Sequence, residues 1–198
     1  MTYRVAVAAS GRGSNFSALC DALAGSDTAR VVLLITDRDA PVMSAATDRG
    51  VASHRLVDSA SADEWRRALV EVSCDLLVLA GYLRLVPAGV VEAMRGRIIN
   101  VHPALLPGYG GKGMHGDRVH AAVLAAGDRE SGATVHLVDE VYDRGEILAQ
   151  GRVAVPPGAT SAELARAVLA VEHRILPAAV LAAAAAGRPV RFEFADAV

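Results

Sequence analysis

Residues 3–16, YRVAVAASGRGSNF, decide how this chain is to be folded. Tyr3–Ala9 is apolar on both faces and of strand length, Ser10-Gly11-Arg12-Gly13-Ser14-Asn15 turns the backbone, and helical spacing begins near Phe16. A strand apolar on both sides is covered on both sides, which points to a parallel sheet. The pattern repeats outward. Val31–Thr36, Ser53–Val57, Leu76–Ala80 and Ile98–Val101 read as further short strands; Asn15–Ala24, Val42–Arg49, Ala62–Val72 and Ala88–Met94 read as helices. Ser61 with Glu64, and Thr160 with Glu163, have the spacing of capping boxes at helix starts. Strands alternating with helices predict an α/β fold: an open, mostly parallel twisted sheet with helices on both faces. Beyond Ala126 the pattern shifts. Ala133–Val138 and Ile147–Val155 predict an antiparallel C-terminal strand pair around a turn at Asp143–Gly145. A last helix, Ser161 to about Ala186, carries Pro177, which is expected to kink or break it.

The bulk composition narrows the function classes. With 198 residues, 53% hydrophobic and 21% charged, the chain supports a core and reads as one domain over residues 1–198. A net charge of -2 provides no field for nucleic acid or an anionic membrane. The apolar stretch Ala178–Ala186 lies between Pro177 and Gly187 and is too short to span a bilayer. MTYRVAVAAS runs directly into a strand pattern without a secretory layout. Cys20 and Cys74 are isolated, so two reduced thiols in a cytoplasmic protein are expected. The single lysine is Lys112, within the glycine-rich stretch Gly108 to Gly116.

In open α/β sheets, ligands sit beyond the carboxyl ends of the strands, and the unusual residues of this chain fall there. The loop Ser10–Asn15 reads either as an anion site at a helix N-terminus or as an ordinary tight turn capped by Ser14 or Asn15. A dinucleotide fits less well, although Asp37 stands where a ribose-binding acid would be, because Phe16 replaces the third glycine of that fingerprint. A small terminal phosphate is the better match. Gly111-Lys112 is not a Walker loop, since Leu106 and Gly113 occupy its glycine and Ser/Thr positions.

In RIINVHPALLPGYGG, residues 97–111, Asn100 and His102 lie two apart in a strand and therefore share a face, just before Pro103 and Pro107. The amide is suited to an oxyanion and the imidazole to acid–base work near neutral pH. The plainer reading is a polar pair capping the strand. Asp143 is a carboxylate candidate for His102, or else a solvated turn residue ahead of Arg144-Gly145. His115, Asp117 and His120 straddle a loop-to-helix junction without a supporting cluster, so no metal is expected.

Taken in order, the segments Ser10–Asn15, Ala80-Gly81-Tyr82-Leu83-Arg84-Leu85, Asn100-Val101-His102-Pro103-Ala104-Leu105-Leu106-Pro107, Gly132–His136 and Asp143–Gly145 resemble the glycinamide ribonucleotide formyltransferase family of folate-dependent enzymes. The resemblance covers about Val5 to Glu172. It implies transfer of the formyl group of 10-formyltetrahydrofolate, as co-substrate and without a metal, to the glycinamide amine in purine synthesis. It further implies that Asn100 and His102 stabilise the oxyanion while Asp143 raises the pKa of the histidine and moves a proton through water. Gly13, Ser14 and Asn15 would hold the ribonucleotide phosphate, and Glu172 its glycinamide or ribose end. The folate would lie along Leu83, Arg84, Leu85 and Val86, beside Asn100, with backbone contacts from Asp139, Glu140, Val141, Tyr142 and Asp143. The partners implied are small molecules, with a homodimer admitted. Two departures stand out: no arginine in the segment leading into the third helix at Ala62, where some relatives have one that meets the folate, and a loop so rich in glycine that Lys112 reads equally as a phosphate contact or a solvated charge. The tRNA-directed relatives resemble longer chains with an RNA-binding domain, and the formyl-folate hydrolases carry an N-terminal regulatory domain. A hydrolase, or a formyltransferase for another amine, is the alternative enzyme; a non-catalytic nucleotide-binding module leaves Asn100 and His102 unexplained.

Overall fold

The computed structural model describes residues 2–195. In chain order the elements are β1 (Tyr3–Ala8), α1 (Ser14–Ala22), β2 (Ala29–Thr36), α2 (Val42–Asp48), β3 (Ala52–Arg55), α3 (Ala62–Glu71), β4 (Leu76–Leu79), α4 (Ala88–Ala93), β5 (Ile98–His102), α5 (Asp117–Ala126), β6 (Glu130–Leu137), β7 (Ile147–Ala154) and α6 (Ser161–Ala186). One seven-stranded sheet runs β3-β2-β1-β4-β5-β6-β7. The first five strands pair in parallel, whereas β6 is antiparallel to both β5 and β7. This is the expected α/β sheet with its antiparallel pair.

Side-chain alternation gives the sheet two cores. Val5 and Val7 of β1 and Ile99 of β5 pack with Phe16 and Leu19 of α1, Val123 of α5, and Val168 and Ile175 of α6. Ala6, Ala8 and Ile98 point the other way, against Trp65 and Leu69 of α3 and Val90 and Met94 of α4. Trp65 is fully buried, donates its indole N–H to Ser59 O at 3.2 Å, and meets Tyr82 edge-on at 5.4 Å between centroids. That contact fixes the loop leaving β4.

Of the two outcomes expected of Pro177, a kink or a break, the break does not occur: α6 runs through it for 26 residues to a left-handed Gly187. A mid-helix proline forfeits a hydrogen bond and crowds the preceding turn, a loss of about 3 kcal/mol in isolation. Here Val171, Ile175, Leu176, Pro177, Ala179 and Val180 are all buried, and their packing outweighs that loss. By length and composition α6 would suffice to cross a membrane, but half of its most apolar window is buried within the protein. Its start is a complete Thr160–Glu163 capping box. The Ser61 box is only half made: Ser61 accepts from Glu64 N, while the Glu64 carboxylate turns to the N–H groups of Val57 and Asp58.

Candidate active site

The loops after β1, β4 and β5 open at the same edge of the sheet and surround a cleft of about 870 Å³. All the site residues that the resemblance implies line it: Gly13, Ser14, Asn15 and Glu172 in one part; Leu83, Arg84, Leu85, Val86 and Asp139 to Tyr142 in another; Asn100, His102 and Asp143 with them.

At the first part, Gly13 is the N-cap of α1 with φ +76°, and no side chain caps the helix. The helix thus begins at Ser14, slightly ahead of the expected start, and the predicted Ser14 or Asn15 cap is not made. Only glycine suits this position, since a Cβ would lie 2.2 Å from Val42 Cγ2 of α2. The first-turn N–H groups therefore have no intrahelical acceptor, the arrangement that favours an anion. The side chain of Asn15 is not part of that cradle. Its Nδ2 donates to Glu172 Oε2 at 2.6 Å, joining α1 to α6, and its Oδ1 is buried without a partner among the described residues. Burial pushes the Glu172 carboxyl up to about 7, with the Asn15 hydrogen bond pulling weakly the other way. Two acceptors in one buried place suit a ligand that brings N–H or O–H donors.

The centre of the cleft contains four groups rather than the three expected. Asn100 stands directly opposite His136 across the antiparallel β5–β6 pair, and His102 opposite Thr134. Cross-strand partners project from the same face, so His136 enters the site between Asn100 and Asp143. Its Nδ1 meets the Leu137 carbonyl at 2.7 Å, which only an N–H can satisfy. Nε2 then receives the Asn100 amide at 3.0 Å, leaving that amide one N–H free to face a ligand. Sequence reading gave His136 no role although it lies in a matched segment; strand alternation from Asn100 would have found it once β6 was known to be antiparallel.

Asp143 is not a solvated turn residue. Its carboxylate lies 3.6 Å from His102 Nδ1 and 3.5 Å from His136 Nε2, and accepts from Gly111 N at 2.8 Å. Burial pushes its pKa up, but the Gly111 N–H, together with His136 and His102 when these imidazoles are protonated, holds it below the ordinary carboxylate value. For His102 the balance is reversed: burial pushes the imidazole down, more than Asp143 and the Tyr109 carbonyl raise it. The raising influence of Asp143 on His102 is present as expected, but the net direction is downward. Thr134 shapes the turn after β5, its hydroxyl donating to Ala104 O and accepting from Leu106 N and Gln150.

At the other part, Leu83, Leu85, Val141 and Tyr142 are exposed large apolar side chains on one cleft, a surface suited to a flat apolar ligand. The Arg84 guanidinium is turned away to the buried Asp37 carboxylate at 2.8 Å, which Arg38 also binds. Asp37 is therefore committed to two arginines, as a ribose-binding acid would not be. Lys112, His115, Asp117 and His120 also border the cleft. Among the described residues no cluster of three or more histidine, cysteine or carboxylate side chains is placed to hold a metal.

Gly145 ends the loop that presents Asp143, and a Cβ there would fall 1.7 Å from Leu137 O, a backbone atom. Gly145→Ala is expected to destabilise the protein by about 1–3 kcal/mol and to impair activity through displacement of Asp143. Urea denaturation with a parallel assay checks this; a variant as stable and as active as the parent would contradict it.

The chain belongs to the formyl transferase family, which it matches over residues 3–180. It is 40% identical over 190 residues to the phosphoribosylglycinamide formyltransferase of Mycobacterium tuberculosis (strain CDC 1551 / Oshkosh), covering 93% of this chain and 86% of that protein. It is 42% identical over 181 residues to the chloroplastic phosphoribosylglycinamide formyltransferase of Arabidopsis thaliana, covering 87% of this chain. The chain spans only 62% of that plant protein and 58% of the one from Vigna unguiculata. The crystal structure of glycinamide ribonucleotide transformylase 1 from Symbiobacterium toebii superposes with a TM-score of 0.86 at 34% identity, covering 98% of this chain and 95% of that one.

Proposed function

We propose that this chain transfers the formyl group of 10-formyltetrahydrofolate to the amine of 5-phosphoribosylglycinamide, giving formylglycinamide ribonucleotide and tetrahydrofolate in purine biosynthesis. The observation that carries the reading is the placing of Asn100, His102, His136 and Asp143 in one cleft with an uncapped helix N-terminus and an apolar rim. The relatives named above support it. In this reading the N–H groups after Gly13 hold the phosphate, with Ser14 and the backbone of Asn15. Asn15 Oδ1 and Glu172 accept from the glycinamide or ribose end. The folate lies against Leu83, Leu85, Val86 and Val141, with the backbone of Arg84 and of Asp139–Asp143 at its polar edges.

The amine nitrogen forms a bond to the formyl carbon and the formyl oxygen becomes negative. The free Asn100 N–H stabilises that oxyanion, and His102 supports it. His102, kept neutral near pH 7 by burial, can take up the proton the amine gives up. Asp143 steadies the resulting imidazolium, exchanging the proton through water. Cleavage of the bond from carbon to N10 then returns a proton to the folate nitrogen. No step calls on a metal. Residues 1–198 act as one formyltransferase domain, and the unpaired Cys20 and Cys74 suit a cytoplasmic setting, as monomer or homodimer.

The test is to mix the protein with 10-formyltetrahydrofolate, with and without the ribonucleotide, and follow the folate absorbance. Loss of the formyl group only when the ribonucleotide is present is expected. Equal deformylation without it would identify a hydrolase, and no change in either case would point to another amine.

A further inference from the structure

We propose that Tyr109 is a positioning residue for His102, and that the tether from its hydroxyl to Asp128 holds His102 in the Nε2-protonated tautomer. Tyr109 is one of three non-glycine residues in the left-handed region among those described, at φ +57°; Asp143, at φ +55°, is another. Such a backbone is strained for a residue with a Cβ and persists only where its surroundings impose it. Here two constraints do so. The phenol oxygen donates to Asp128 Oδ2 at 2.5 Å, just past the left-handed Gly127 that ends α5, and the ring packs on the core. Held in this way, the Tyr109 carbonyl meets His102 Nε2 at 2.8 Å.

The chemistry of that contact is one-sided. A carbonyl only accepts, so the ring nitrogen facing it carries the hydrogen. Nδ1 is left with the lone pair, 3.6 Å from Asp143. The proton taken up in the reaction therefore enters at Nδ1, beside the carboxylate that steadies it, and not at Nε2. The same short segment also bears on the carboxylate. Gly111 N–H binds Asp143, and a Cβ on Gly110 would lie 3.1 Å from Asp143 Cβ. One anchored strand of loop thus sets both members of the pair, 19 residues from the acid that anchors it. The titratable groups near His102 are Asp143 from the β6–β7 loop, His136 on β6 and His120 on α5; of these only Asp143 is bound by the anchored loop, through Gly111 N–H.

The role of Tyr109 in catalysis rests on the formyl-transfer reading, but the tautomer does not. The test uses the full chain labelled at the imidazole nitrogens, with Tyr109→Phe, Asp128→Ala and the double variant, each checked by thermal melting. Nitrogen NMR is expected to show His102 protonated at Nε2 in the parent. In each variant it should show a mixed tautomer and a lower pKa, because the carbonyl that favours the imidazolium is released. In the transfer assay kcat should fall about tenfold, the order of one hydrogen bond, with KM within about twofold. The acid limb should move to lower pH, and the double variant should match the singles. An Nδ1-protonated parent, an unchanged tautomer and acid limb in the variants, or additive losses would overturn the proposal. If the NMR signature holds while the parent transfers no formyl group, the functional reading fails and the tether stands.

Discussion

Replacing His102 with alanine is expected to lower kcat for formyl transfer by between about 100- and 10,000-fold, the usual contribution of a positioned acid–base group. The reason is local. His102 is almost fully buried beside Asp143, and its Nδ1 has no protein partner closer than that carboxylate. Alanine removes an imidazole, a group whose charge can change near neutral pH, from its place beside that carboxylate. Binding of the ribonucleotide should change little, since the helix N-terminus and Glu172 are untouched. His102→Gln, which keeps a hydrogen bond to the Tyr109 carbonyl, should lose nearly as much activity while unfolding at close to the parent temperature. The pH dependence follows from the same balance. Burial lowers the His102 pKa below 6.5 against the pull of Asp143, so the neutral base persists to mildly acid pH. Asp143→Asn removes an upward influence, so the acid limb should shift further down as the rate falls. Single-turnover kinetics across pH 5 to 9 would decide. Undiminished turnover by either His102 variant would remove the imidazole from the chemistry.

Glu172→Gln is expected to stabilise the protein and weaken it as an enzyme. The carboxyl is 93% buried by its 7% exposure, and its pKa is raised from 4.5 to about 7. Between those values the folded state retains a proton that the unfolded state has lost, so stability falls as pH rises. Below about pH 4.5 the group is neutral in both states and the loss is absent; above about pH 7 it is complete. A shift of this size corresponds to about 3 kcal/mol, at roughly 1.4 kcal/mol per pH unit. Glutamine keeps an oxygen for Asn15 Nδ2 and carries no charge, so the variant should gain about that amount at pH 8 and almost nothing at pH 4. On the functional side, the charge that would attract the glycinamide end is lost, and KM for the ribonucleotide should rise about tenfold or more, as for a hydrogen bond to a charged group. Chemical denaturation at both pH values, beside initial rates, separates the two effects. Equal stability of parent and variant at pH 8 would mean that Glu172 does not titrate as described. A native carboxyl kept at such a cost is the expected signature of a group retained for binding.

Much of the fold was legible because its signals are local. Strands apolar on both faces, turn residues between them and helical spacing after each turn repeat from Tyr3 onward, and every strand and helix read from that pattern is present. Pro177 does not end α6, because intrinsic propensity says nothing of the buried surface that overrides it. The site was legible where its residues share one strand or one loop: Asn100 with His102, and Gly13 with Ser14. It was not legible where partners are far apart in the chain. Asn15 reaches Glu172 across 157 residues, and Asn100 reaches His136 across 36.

The sequence by itself therefore determined the α/β architecture, the carboxyl-end location of the candidate site and the placing of Asn100 and His102 together on one face. Their spacing along one strand places them on one face whatever the rest of the chain does. Only the tertiary structure decided what surrounds them. Antiparallel register brought His136 opposite Asn100, a left-handed backbone aimed the Asp143 carboxylate inward, and the Tyr109 carbonyl selected the nitrogen of His102 that bears the proton. These depend on register, loop direction and packing, which arise from contacts between distant segments and leave no periodic trace in the chain.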